Sequence, residues 1–87
     1  MDYEIKRSYY ANLAQIELGF YDIRISFGEK KKRIPEITDE DIDVKIIMSP
    51  QHAKEFANLL MRNIKHYEEI FGEIKLPPSE DQNRKEI

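Results

Sequence analysis

Residues 44–72, VKIIMSPQHAKEFANLLMRNIKHYEEIFG, constrain the fold more than any other stretch of the chain. They read as a short strand, a helix start, a long amphipathic helix and a glycine stop. Ser49 before Pro50 marks the start. A serine side-chain oxygen accepts from the free N–H groups of a first turn, and proline at the first helical position has no N–H to leave unpaired. His52, rather than Glu or Gln, stands three residues after Ser49, so the full capping box is absent. Ala53, Phe56, Ala57, Leu60, Ile64, Tyr67 and Phe71 recur in steps of three and four, which predicts one apolar stripe. Leu59, Met61 and Ile70 widen it, and Lys54, Glu55, Asn58, Arg62, Lys65 and Glu69 take the outer face. Gly72 suits the left-handed residue that ends a helix. A helix of about 22 residues is roughly 33 Å long.

The preceding residues read as strands that this helix covers. Residues 1–8 are a polar lead-in, and a single α+β domain is expected over 9–76. From Tyr9 to Leu18 the pattern alternates, with Asn12, Ala14, Ile16 and Leu18 on one side and mixed residues on the other. Gly19-Phe20 makes a tight connection into Tyr21 to Phe27, where Tyr21, Ile23, Ile25 and Phe27 share a face. Val44, Ile46 and Met48 do the same in a third strand, with Ile47 opposite. The fold class expected is therefore α+β, an antiparallel three-stranded meander followed by one long amphipathic helix. Such a sheet is only about 15 Å wide at about 4.8 Å per strand. A helix of about 33 Å overhangs it, which points to two chains sharing their apolar faces as a homodimer.

Between strands two and three lies a charged loop, residues 29–43. Lys30, Lys31, Lys32 and Arg33 form a basic run, answered by Glu36, Asp39, Glu40, Asp41 and Asp43. Opposite blocks in one loop read as a solvated, self-compensating surface. Residues 77–87 begin with Pro77-Pro78 and continue charged and poor in apolar residues, the composition of a disordered tail.

Composition narrows the function classes. The 87 residues suit one small domain, whose core is modest for its surface. Cysteine is absent, which removes disulfides and thiolate metal sites. A net charge of −3 gives no general attraction to nucleic acid or anionic membrane. No apolar run approaches the roughly 18 residues of a membrane-spanning helix, and Met1-Asp2-Tyr3-Glu4 does not open a signal peptide. A cytoplasmic protein without cofactor or membrane partner is the expectation.

No catalytic set assembles from these residues. His52 and His66 are the two histidines, four helical turns or about 21 Å apart on one helix, too far to share an ion. Ser8, Ser26, Ser49 and Ser79 lack a nucleophile-elbow context, and Gly19, Gly28 and Gly72 are too dispersed for a phosphate loop. The acids from Asp39 to Asp43 lack the glycine and closing Glu of a calcium loop. The expected sites are accordingly surfaces. Phe56, Leu59, Leu60, Ile64, Tyr67 and Ile47 are the candidate interface; Ser49, Pro50 and Gly72 are the structural caps. Gln51 and His52 are candidate contacts to the neighbouring hairpin or a second subunit.

Three stretches carry a resemblance. They are Tyr10-Ala11-Asn12, the run from Tyr21-Asp22-Ile23 through Phe27-Gly28, and the strings MSPQHAK (48–54) and YEEIFGEI (67–74). Over about residues 9–77 the chain resembles the prokaryotic family catalogued as domain of unknown function 3467, with a loop at 29–43 longer and more charged than the family pattern. The resemblance implies an α+β protein and transfers no catalytic residue. The reading expected from all of this is a non-enzymatic, homodimeric protein-interaction module that offers an edge of strand one or strand three, or a helix face. The alternatives are a binder of unfolded polypeptides loosely similar to the export chaperone SecB, and nucleic-acid binding through Lys30 to Arg33.

Overall fold

The structure, a computed structural model, describes residues 6–78. The lead-in and the tail after Pro78 therefore lie partly or wholly outside the described residues. The elements run β1 (Leu13–Leu18), β2 (Ile23–Gly28), a 3-10 turn (Asp39–Asp41), β3 (Ile42–Met48) and α1 (Pro50–Phe71). The strands form one antiparallel sheet in the order β1-β2-β3. The expected α+β arrangement of three antiparallel strands followed by one long helix is the one observed. The chain divides into two compact units, Met1–Glu55 and Phe56–Ile87.

The register identifies the apolar face of the sheet. Ile16 pairs with Ile25, which pairs with Ile46; Ala14, Phe27 and Val44 form the row on one side of it, and Leu18, Ile23 and Met48 the row on the other. Cross-strand partners point to the same side of a sheet, so these nine residues form one apolar face. The opposite face carries Gln15, Glu17, Arg24, Ser26, Lys45 and Ile47. There Lys45 Nζ reaches Glu17 Oε1 at 3.3 Å across the central strand.

Two strand limits differ from the sequence expectation. β1 begins at Leu13 rather than Tyr9, because its partner β2 ends at Gly28, opposite Leu13. β3 begins at Ile42 rather than Val44. Phe27 pairs with Val44 and Gly28 with Ile42, leaving Asp43 as the extra residue of a β-bulge that extends the pairing by one step. At the β1–β2 connection, Gly19 N–H donates to the Asp22 carbonyl at 2.8 Å, and Phe20 and Tyr21 project from the tip with ring centroids 4.8 Å apart.

The helix limits follow their chemistry. Ser49 Oγ accepts from the His52 N–H at 3.1 Å, and Ala53 N–H closes the first helical bond onto the Ser49 carbonyl at 2.9 Å. At the other end Gly72 has φ +103°, and its N–H donates to the Glu68 carbonyl at 2.9 Å, a left-handed cap. The Glu68 carboxylate also accepts from the Ile74 N–H at 2.9 Å, fixing the direction of the chain leaving the helix.

Candidate interaction surfaces

No apolar residue among the described ones is fully buried. On the apolar face of the sheet, Leu18 is 81% exposed and Ile16 63%. The hairpin tip is more exposed still, with Phe20 at 89%. Along α1, Phe56, Leu59, Leu60, Met61, Tyr67, Ile70 and Phe71 are all exposed large apolar side chains, while Ile64 is half-buried. Exposed apolar surface of this kind marks sites of association.

Five of the six candidate interface residues share the helix stripe. Phe56, Leu59, Leu60, Ile64 and Tyr67 fall within roughly half of the helix circumference at 3.6 residues per turn. Tyr67 stacks on Phe71 one turn later, centroids 4.8 Å apart and planes tilted by 47°. The sixth, Ile47, belongs to β3 in the other unit, opposite Arg24 and on the polar side of the sheet, exposed. Gln51 and His52 are exposed in the first helical turn. His52 serves the cap through its backbone N–H, while its Nδ1 lies 4.0 Å from Glu55 Oε1. His66 likewise faces Glu69, at 3.6 Å. Among the described residues no group of three His, Cys, Asp or Glu side chains is placed to hold a metal ion.

The charged loop is where the structure corrects the sequence reading. Asp41 is not a solvated acid; it is 1% exposed and is the centre on which the loop is built. Its Oδ1 accepts from the Lys31 N–H at 2.8 Å; its Oδ2 accepts from the Thr38 N–H at 3.0 Å and from Lys30 Nζ at 3.1 Å. Its backbone is also paired, N–H to the Thr38 carbonyl at 2.9 Å and carbonyl to the Glu29 N–H at 3.0 Å. Lys30 Nζ donates in addition to the Glu36 carbonyl. The Thr38 and Lys31 amides, with Lys30 beside them, outweigh the desolvation and lower the Asp41 carboxyl to about 2. Thr38-Asp39-Glu40-Asp41 has the spacing of a Thr followed three residues later by an acid, the signal that identifies Asp41 from sequence.

Three of the four cations of the basic run are compensated within their own loop. Lys30 pairs with Asp41, Lys31 with Asp43 at 3.2 Å, and Lys32 with Glu40 at 2.6 Å. On the polar face of the sheet, Gln15, Glu17, Ser26, Asp39, Ile42 and Lys45 line an open depression of about 490 Å³. Its Glu17–Lys45 pair satisfies both charges.

Among the described residues no helix is long and apolar enough to cross a membrane. Residues 1–76 match the family described as Protein of unknown function (DUF3467), from the first residue and not only from residue 9. No curated protein and no solved structure matches the chain. The match spans both the sheet and the whole of α1, and the chain belongs to the DUF3467 family of proteins of unknown function.

Proposed function

We propose that the chain acts as a non-enzymatic, homodimeric protein-interaction module. The supporting observation is the apolar surface that each unit leaves accessible: Ala14, Ile16, Leu18 and Ile46 on the apolar face of the sheet and one stripe of α1, with no fully buried apolar residue among those described. Ordering a residue costs about 1–2 kcal/mol of backbone entropy alone. The burial of apolar surface is the main term that offsets it. Association with a second copy supplies that burial without requiring any other molecule. In this reading Phe56, Leu59, Leu60, Ile64 and Tyr67 contribute the helix side of the contact, and the charged loop and outer helix face keep the assembly dispersed in water.

Replacing Leu60 and Ile64 together by Asp tests the assignment. Both positions lie in the stripe, and a carboxylate placed in a dry interface costs several kcal/mol. The double variant is expected to weaken self-association at least a hundredfold by light scattering. A variant that remains as dimeric as the parent chain contradicts the reading. A parent chain that is monomeric, yet suppresses aggregation of an unfolded client and binds an apolar dye, favours the chaperone alternative, because the same surface is open to a client. Nucleic-acid binding through Lys30 to Arg33 is less favoured, since Lys30, Lys31 and Lys32 already face carboxylates.

A further inference from the structure

We propose that the second copy joins along β1, antiparallel to its counterpart, with Ile16 on the two-fold axis, so that two three-stranded sheets become one of six strands. The inference rests on the homodimer reading and adds the edge, the orientation and the register.

β1 and β3 are the outer strands of the sheet, and an outer strand carries backbone N–H and C=O groups available for pairing. The two edges differ in how they are guarded. β3 bears Asp43 and Lys45, and its register with β2 shifts at the bulge at Asp43. Bulges and charges of this kind are the features that discourage edge pairing. β1, LAQIEL, has a regular register with β2, contains no proline and carries one charge, Glu17. Residues 14–18 are all exposed.

Self-complementarity selects the second copy as the occupant. Two identical strands pair antiparallel about an axis perpendicular to the sheet, which keeps the apolar faces of both copies on one side. Partners must then lie on the same face, so the residue numbers of each pair sum to an even value. A sum of 34 sets Glu17 against the partner's Glu17, like charges directly opposed, which is unfavourable. A sum of 30 sets Leu13 against the partner's Glu17 and moves Leu18 out beyond the partner's β1. A sum of 32 pairs Ile16 with the partner's Ile16, Ala14 with the partner's Leu18, and Gln15 with the partner's Glu17. This register opposes apolar to apolar on one face and an amide to a carboxylate on the other. It also adds the two apolar sheet faces into one continuous surface.

The chain has no cysteine, so single substitutions report the geometry directly. Paired antiparallel Cα atoms are about 4.5–5.5 Å apart, within the roughly 4.4–6.8 Å span of a disulfide. Under mild oxidation, Ile16→Cys is expected to cross-link most of the protein as a dimer. Ile46→Cys, in the same row on the opposite edge, is expected to remain uncross-linked. Ala14→Cys and Leu18→Cys chains are expected to cross-link when mixed and not separately, which supplies the register should Ile16→Cys fold poorly. If the parent sediments as a dimer while Ile46→Cys cross-links and Ile16→Cys does not, or none of the β1 variants does, the β1 pairing is wrong and the homodimer reading stands. A monomeric parent chain overturns both.

Discussion

Asp41 shows how one carboxylate organises a loop of fifteen residues. Two backbone amides and one ammonium converge on it, and each favours the charged form, so its pKa falls from 3.8 to about 2. A carboxyl whose pKa is lower folded than unfolded adds stability above the unfolded pKa, and that stability is lost as pH falls through the folded one. The loop is therefore expected to hold its structure at pH 4 and to loosen progressively between about pH 4 and pH 2. Amide signals of Lys31 and Thr38, followed by NMR, are expected to titrate with a midpoint near 2; a midpoint near 4 contradicts the arrangement. Gly28 is the matching backbone requirement. A Cβ added there would fall within 2.8 Å of the Asp41 carbonyl carbon and 3.0 Å of the Ile42 Cα, against backbone that cannot swing aside. Gly28→Ala is expected to destabilise the chain by about 1–3 kcal/mol, as overpacking does, read as a lowered Tm. Neither role is visible in residue periodicity, because both depend on Asp41 folding back over the end of β2.

At the scale of elements, local chemistry made the helix legible and pairing partners set the strand ends. Ser49-Pro50 and Gly72 bound α1 where expected, since caps act within one turn and are written in adjacent residues. Ser49→Ala removes the acceptor of the His52 N–H and is expected to cost about 1 kcal/mol, measured by thermal melting with circular dichroism. An unchanged Tm would mean that the first turn is held by other contacts. Tyr9 to Asn12 alternate as a strand does and yet stand outside β1, because the partner strand stops at Gly28. Ile42 and Asp43 look like loop and belong to β3, because the bulge admits one more pair. The candidate surface was more legible than those limits. The period of α1 placed Phe56, Leu60, Ile64 and Tyr67 on one stripe, and the period of two placed Ile23, Ile25 and Phe27 on one face. The row formed by Ile16, Ile25 and Ile46 required the register, which no single strand encodes.

For the whole molecule, a second copy of the chain is proposed to complete the exposed apolar surface. Every large apolar residue of α1 apart from Ile64 is exposed, and so are Ile16, Leu18 and Ile46 on the sheet. A small net charge of −3 offers little repulsion to like chains meeting. Stable homodimer interfaces bury on the order of 2,000 Å² or more, and the sheet face and the stripe of α1 are the apolar surfaces that the described residues offer to such a contact. Sedimentation equilibrium of the intact protein across a micromolar concentration series is the most direct test. A species of twice the 10.4 kDa chain mass that persists to low micromolar concentration is the expected result. A well-folded species of 10.4 kDa throughout the series would contradict it.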